Sequence, residues 1–251
     1  MTERAAVTDG ESIRDESREL LRGARLSILI PAYNEEETIQ EALRRVKSAG
    51  EDLGAVLEIL VVDDASTDGT PAILEADAEI RLIRQPYNQG KGAALRAAIP
   101  HVTGEVVIVQ DADLEYDPRD YGTIAAPILA GTTRVVYGSR FMRGRPMNMA
   151  WPNYVCNRLL ALAVNVLFGA RITDEATCYK AFDAALLREL PLTCRRFEFC
   201  PEVTAKVLRR GERIVEVPIR YVARPMDAGK KIRWWDAVTA FWTLIKYRVV
   251  R

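Results

Sequence analysis

Residues 105–115 read E-V-V-I-V-Q-D-A-D-L-E, and the fold is decided by this stretch. Val106, Val107, Ile108 and Val109 form a continuous β-branched run, the pattern of a strand buried on both faces. The run then stops on carboxylates. Asp111, Asp113 and Glu115 alternate along a segment still extended or just turning, so their oxygens can share one side and hold a hard divalent cation. A cation with few protein ligands keeps open positions, which phosphate oxygens commonly fill. An isolated D-x-D more often caps a helix or solvates a loop. Here the acids stand at the carboxyl end of a buried strand, where open α/β sheets bind ligands, and the strand end reads as a metal-diphosphate site.

The chain around this strand has 251 residues, 49% hydrophobic and 28% charged, enough to bury a substantial core as one large domain and too apolar for disorder. The formal charge is zero overall, yet residues 204–251 hold 12 Lys and Arg against 4 Asp and Glu, an excess of 8. That surplus points to phosphate groups or an anionic membrane surface as partners, and no nucleic acid partner is expected. Cys156, Cys178, Cys194 and Cys200 match no zinc spacing and read as free thiols of a reducing cytosol. His101 is the only histidine and stands beside Pro100 at a helix end, a poor position for Ser-His-Asp chemistry. Catalysis is therefore expected from carboxylates, cations and metal.

Taken in order, residues 1–24 are mostly polar and read as a loosely held leader. Leu26 to Ile30 reads as a buried strand ending in Pro31-Ala32-Tyr33-Asn34-Glu35; Asn34 and Glu37 have capping-box spacing for a helix whose apolar face is Ile39, Ala42, Leu43 and Val46. A second strand, Leu57 to Val62, ends on Asp63 and Asp64, whose carboxylates can accept hydrogen bonds from a nucleobase or ribose or can satisfy turn amides. Ile80 to Ile83 reads as a third strand. In Asn88-Gln89-Gly90-Lys91-Gly92 the glycines permit close backbone approach and Lys91 can reach a phosphate. After the carboxylate strand come a helix near Asp117-Pro118 and a strand from Val135 to Gly138 followed by Ser139-Arg140. This alternation predicts a doubly wound, mostly parallel α/β sheet.

Five ordered motifs now carry a resemblance. P-A-Y-N-E at 31–35, D-D-A-S-T-D-G-T at 63–70, N-Q-G-K-G at 88–92, D-A-D-L-E at 111–115 and G-S-R at 138–140 resemble the family 2 glycosyltransferases of GT-A fold. The dolichyl-phosphate (polyprenyl-phosphate) mannose synthase branch is the part of the family most resembled, over roughly residues 26–247. The resemblance implies a single GT-A domain over 25–251, with a nucleotide-sugar half at 25–140 and acceptor-side helices in a half at 141–251. It implies that Pro31, Tyr33, Glu35, Asp63 and Asp64 line the base and ribose pocket. Lys91, Asp111 and Ala112 would meet the nucleotide diphosphate, and Asp111, Asp113 and Glu115 would hold Mg²⁺ or Mn²⁺. Glu115 stands where the family often has Gln, and the added charge bears on metal preference.

On the acceptor side, the helix opened by Trp151-Pro152-Asn153 carries an apolar stretch too short to span a bilayer, either a core helix or one lying on lipid. The resemblance assigns Arg140 and Arg158 to the acceptor phosphate, against surface salt bridges as the plainer alternative. It makes Asp174, in I-T-D-E-A-T-C-Y-K at 172–180, the candidate base, with Cys178 where a glycine is frequent. Glu202 is ambiguous, because an acid in a first helical turn is favoured by the helix dipole anyway. Glu216 to Tyr221 reads as an edge strand, since Pro218 is tolerated there. The basic segment 224–232 resembles a loop that closes over the diphosphate, with Arg224 and Lys231 as its cations, against a solvated basic loop as the alternative. The final helix, from Trp234, carries aromatics and cations that suit a membrane surface or packing on the sheet.

The expected function is inverting, metal-dependent transfer of a hexose from a nucleotide sugar, GDP-mannose or UDP-glucose, to a polyprenyl phosphate, by a cytoplasmic protein peripheral to the membrane. The acceptor phosphate is already an anion and needs positioning by Arg140 and Arg158, while metal, Arg224 and Lys231 stabilise the departing diphosphate. A hydroxyl acceptor is the alternative, and it requires a base, Asp174. A nucleotidyltransferase should have a glycine-rich basic loop after the first strand, and a non-catalytic module should have lost the carboxylates. The sequence fits neither.

Overall fold

The computed structural model describes residues 19–223 and 234–250. Arg224 and Lys231 lie outside them, as does most of the leader; where described, the leader is not loose, since Leu21 is 1% exposed in the core. The architecture is a seven-stranded sheet between layers of helices. Its strands are β1 (Arg25–Ala32), β2 (Val56–Asp63), β3 (Arg81–Arg84), β4 (Val106–Val109), β5 (Val135–Ser139), β6 (Lys180–Asp183) and β7 (Ile214–Pro218), ordered β3-β2-β1-β4-β6-β5-β7. The helices are α1 (Ile39–Leu53), α2 (Thr70–Glu75), α3 (Lys91–Ala98), α4 (Tyr121–Leu129), α5 (Trp151–Phe168), α6 (Ala184–Glu189), α7 (Phe199–Arg209) and α8 (Trp234–Val249).

The β-branched runs do what continuous apolar runs predict: they are buried on both faces. Alternate residues leave the sheet on opposite sides, so Leu26, Ile28 and Ile30 pack with Ile39, Leu43 and Val46 of α1 and Tyr121, Ile124 and Ile128 of α4. Leu29, Leu60, Val62, Val107 and Val109 pack on the other side with Leu95 of α3, Leu186 of α6 and Phe199, Val203 and Val207 of α7. Helices on both faces and parallel pairing among β3, β2, β1 and β4 give the expected doubly wound half.

The second half departs from strict alternation. β6 lies between β4 and β5 and runs antiparallel to both, while β7 at the edge runs parallel to β5. Register aligns Ala32 with Asp63 and Leu29 with Val109, so β1, β2 and β4 end at one side of the sheet. Reversal of β6 brings its first residue, Lys180, opposite Tyr137, and β5 and β7 end together at Ser139 and Pro218. The five ordered motifs, which follow β1, β2, β3, β4 and β5, are thereby delivered to one edge.

A smaller apolar cluster joins α5, α7 and α8 through Leu160, Val164, Ala205, Ala240 and Leu244. The outer sides of the two flanking helices carry exposed apolar rows at helical spacing: Trp151, Val155, Leu159, Leu162 and Val166 on α5, and Trp235, Val238, Trp242, Ile245 and Val249 on α8. Val166 is 75% and Trp242 66% exposed. Among the described residues no helix is long and apolar enough to cross a membrane.

Candidate functional site

The loops at the strand ends are conformationally strained. Asn34, Ala65 and Leu114 follow β1, β2 and β4 and adopt φ values of 50°, 59° and 62°, a region non-glycine residues seldom occupy. The first two loops lock each other in place. Asn34 Oδ1 accepts from the Thr67 amide at 2.8 Å, Ser66 Oγ accepts from the Asn34 amide at 3.0 Å, and Thr70 Oγ1 accepts from the Glu35 amide at 2.9 Å. Asn34 is thus no helix cap. Helix α1 begins at Ile39 without a side-chain cap, because the capping-box oxygen is used across 33 positions of sequence instead. Pro31, Tyr33 and Glu35 stand half-buried along this edge.

The acid pair after β2 divides its work. Asp63 Oδ1 accepts from the Ser66 amide at 3.0 Å, closing its own turn. Asp64 receives the Gln89 and Gly90 amides, each at 2.7 Å on separate oxygens, and so fastens the N-Q-G-K-G loop. Asp64 thus holds that loop against the end of β2. The glycines of that loop permit close backbone approach, and the approach is to a neighbouring stretch of the chain. A Cβ on Gly90 would meet Arg195 O at 2.6 Å and one on Gly92 would meet Arg196 O at 2.8 Å. Close backbone approach is made to the chain's own 195–196 segment, whose carbonyls take the Gly92 and Ala93 amides at the start of α3.

Lys91 points to the carboxylate strand end. Its ammonium is ion-paired with Asp111 and donates to Cys178 Sγ at 3.0 Å. Burial opposes its charge, but Asp111 and the nearby thiols hold its pKa well above the ordinary value. Gln110 anchors Asp111 from below: its amide donates to Asp111 O at 2.8 Å, and its carbonyl accepts from Tyr121 and Tyr179 at 2.8 and 2.5 Å. Ala112 is buried beside it. Asp113 Oδ1 accepts from the Glu115 amide at 3.1 Å, and Glu115 Oε2 accepts from Tyr221 OH at 2.8 Å. The three acids therefore do not close into one cage; among the described residues no three Asp, Glu, His or Cys side chains converge as metal ligands.

The end of β5 holds the more deeply buried ion pair of the site. Arg140 Nε and Nη2 each donate to an Asp174 oxygen at 2.7 Å, and the Arg140 amide adds a third bond at 3.0 Å. Asp174 is fully buried and the Arg140 side chain is 8% exposed. Burial opposes the guanidinium charge, yet Asp174 holds its pKa well above the ordinary value. Glu216 on β7 accepts the Thr173 and Asp174 amides at 2.7 and 2.9 Å, and Tyr221 and Phe141 rings flank the guanidinium at 5.2 Å each. Arg158 is exposed and donates to Thr173 O at 3.0 Å, so it reaches the same segment without forming a salt bridge among the described residues.

Glu202 resolves as structural, since it collects the Thr193 and Cys194 amides, Tyr247 OH and Lys206. His101 is bound by Arg81 at 2.9 Å, after α3 and before β4, away from the strand ends that carry the motifs. Sequence reading missed Gln110, Tyr116, Tyr179 and Tyr221. The last three stack or cross as rings at 4.7 and 5.2 Å beneath the carboxylate loop, and their spread along the chain left no local signal.

The family model described as glycosyl transferase family 2 matches residues 27–190. Glycosyltransferase AglJ of Haloferax volcanii is 32% identical over 199 residues, covering 79% of this chain and 63% of that protein. An undecaprenyl-phosphate 4-deoxy-4-formamido-L-arabinose transferase of Salmonella paratyphi B is 27% identical over 216 residues, covering 82% and 62%. The chain spans a little over three-fifths of the length of these relatives. Glucosyl-3-phosphoglycerate synthase of Mycobacterium tuberculosis, solved with Mn²⁺, uridine diphosphate and phosphoglyceric acid, superposes with a TM-score of 0.71 at 22% identity, covering 94% of this chain and 83% of that one. The same synthase with Mg²⁺ and uridine diphosphate superposes with a TM-score of 0.68. These likenesses show the GT-A fold. With five motifs in order on one edge of that fold and the family model spanning β1 to β6, the chain belongs to glycosyl transferase family 2.

Proposed function

We propose that this protein transfers a hexose from a nucleotide sugar to a polyprenyl phosphate, with Mg²⁺ or Mn²⁺ at the diphosphate. The observation that carries the reading is the occupation of Asp174. A hydroxyl acceptor needs a base it can reach, and Asp174 is fully buried, with three of its roughly four acceptor positions taken by Arg140. A phosphate acceptor needs no deprotonation. What it needs is positioning, and Arg158 together with any part of the Arg140 fork not held by Asp174 supplies cationic donors next to residue 173.

On the donor side, Pro31, Tyr33, Glu35 and Asp63 would border the nucleoside, and Lys91 would meet the diphosphate. The oxygen donors at the β4 end suit a hard divalent cation, and Asp111 and Asp113 are the residues that would hold it, with Glu115 tied to Tyr221. The ion would supply charge neutralisation on the diphosphate. Arg224 and Lys231, in the segment that resembles the family's basic loop, would neutralise charge on the leaving group. The exposed apolar rows of α5 and α8, with Lys246 and Arg248 in the last turn of α8, support contact with the membrane that carries such an acceptor. The name of the Salmonella relative, an undecaprenyl-phosphate transferase, supports the same class of acceptor.

The test is transfer of labelled sugar from GDP-mannose and UDP-glucose in parallel, with and without polyprenyl phosphate and Mn²⁺, followed by partition into organic solvent. Metal-dependent label in the organic phase is expected with one donor. Label that stays in water, in a protein that binds the nucleotide sugar, would overturn the lipid acceptor and restore the hydroxyl reading.

A further inference from the structure

Lys91 and Asp111 hold each other at the start of the carboxylate loop. The Lys91 ammonium is ion-paired with Asp111 Oδ1, and the two side chains are only 16% and 15% exposed, so the pair is screened little by water. The ammonium also donates to Cys178 Sγ at 3.0 Å, a weak acceptor. The backbone on either side of Lys91 is fixed. The Gln89 and Gly90 amides are on Asp64 at 2.7 Å, and the Gly92 and Ala93 amides are on the carbonyls of Arg196 and Arg195 at 3.0 and 2.9 Å. Asp111 is fixed too, by Gln110 Nε2 on its carbonyl at 2.8 Å and by the Gln110 amide on Leu29 O at 3.0 Å. What is left to move is the flexible stem of Lys91. Its contact with Asp111 is one ammonium on one oxygen, whereas the Arg140 fork engages both oxygens of Asp174.

We propose that Lys91 is an exchangeable counter-ion of Asp111 that makes a divalent cation and a nucleotide diphosphate bind cooperatively. The proposal rests on the reading of Asp111 as a cation ligand and of Lys91 as a diphosphate ligand. An ammonium and a divalent cation on one half-buried carboxylate repel each other strongly, so a cation that takes Asp111 has to part it from Lys91. A diphosphate that takes Lys91 has to break the same pair. Either ligand alone meets that cost in full. Together they meet it once, because Asp111 turns to the cation and the ammonium turns to a phosphate oxygen. The cost saved is the coupling free energy, and it acts equally on both ligands. Lys91 is thus a positioning residue for the cation in addition to its own contact with the diphosphate.

The experiment uses the full chain as wild type, Lys91→Met and Lys91→Arg. Mn²⁺ binding without nucleotide is read from the electron paramagnetic resonance of the free ion, and binding of labelled uridine diphosphate from equilibrium dialysis in EDTA and in saturating Mn²⁺. Lys91→Met should bind Mn²⁺ about tenfold more tightly than wild type, a gain that loss of folding cannot produce. Mn²⁺ should raise the affinity for uridine diphosphate about tenfold more in wild type than in Lys91→Met, and the two factors should agree because they measure the same broken pair. The complex of ion and nucleotide in solution is common to all the proteins and drops out of this comparison. Lys91→Arg keeps the charge and should show neither change. Equal Mn²⁺ affinity in wild type and Lys91→Met, an equal effect of Mn²⁺ on their nucleotide affinities, or the same gain in Lys91→Arg as in Lys91→Met would overturn the exchange. A different result, no bound Mn²⁺ in any of the proteins and nucleotide affinity indifferent to the ion, would remove the cation from the β4 end and the exchange with it.

Discussion

At the scale of single residues, the site is governed by charges taken out of water. Removing one partner of a buried pair leaves the other uncompensated, so Asp174→Asn should cost about 3–5 kcal/mol in stability as well as turnover. Replacing both members, as Arg140→Met with Asp174→Leu, should recover most of the melting temperature and none of the activity. A free base at position 174 predicts the opposite for the single variant, a normal melting temperature with lost turnover. The neighbouring Glu175 gives a pH test. Burial raises its carboxyl from 4.5 to about 8, with Lys180 opposing, and its Oε2 has no partner among the described residues. The folded value lies above the unfolded one, so the folded state keeps a proton that the unfolded state releases. This stabilisation is complete below about pH 4.5 and is lost as pH rises through about 8. Glu175→Gln cannot titrate. Urea unfolding of the two proteins should therefore diverge in favour of the variant between pH 5 and 8.5, by up to the order of 4 kcal/mol.

At the scale of elements, the loop at 88–92 is held by packing that a methyl group would break. Gly90 has a φ of 93° and lies where a Cβ would meet a backbone carbonyl that cannot swing aside. Gly90→Ala should cost about 1–3 kcal/mol and weaken nucleotide binding, because the displaced loop carries Lys91 and both amides on Asp64. Gly169, at the end of α5, has a φ of 70° with nothing within 4 Å of a Cβ. Gly169→Ala should cost only about 1 kcal/mol and leave binding alone, as calorimetry and thermal melts can show. What could be read ahead of the structure follows the same division. The buried parallel strands announce themselves because both faces are apolar, and the acids at their ends because each follows such a run. Strand β6 gave no such signal. It is four residues long and opens on Lys180, a charge tolerated at zero exposure because Nζ lies 3.5 Å over the Tyr137 ring and donates to Glu175 O at 2.6 Å. Pairings such as Arg140 with Asp174 and Asn34 with Thr67 span more than 30 positions. Local pattern shows the residue types there and is silent about the partner.

At the scale of the whole molecule, the two halves share one sheet, so a ligand at the strand ends touches both. Segments 31–36, 63–70, 88–92 and 110–116 come from the parallel half. Residues 139–140, 173–180 and 216–222 come from the half arranged around β6, and the Tyr116–Tyr221 bridge with the Val222 amide on Glu115 O at 3.0 Å joins the two. A nucleotide diphosphate bound across this edge favours the folded state over the unfolded one by mass action. At a hundred times its dissociation constant the gain is about 2.7 kcal/mol. Uridine or guanosine diphosphate with Mn²⁺ should accordingly raise the melting temperature, and EDTA should reduce the rise to the part that needs no metal. Asp111→Asn should be the sharper probe. It takes the counter-charge from Lys91 as well as a proposed metal ligand, so the metal-dependent part of the shift should vanish while a metal-independent part, from Lys91 meeting the diphosphate directly, survives. A shift that is equal in the presence of Mn²⁺ and of EDTA would remove the cation from the β4 strand end and leave Lys91 as the group that meets the diphosphate.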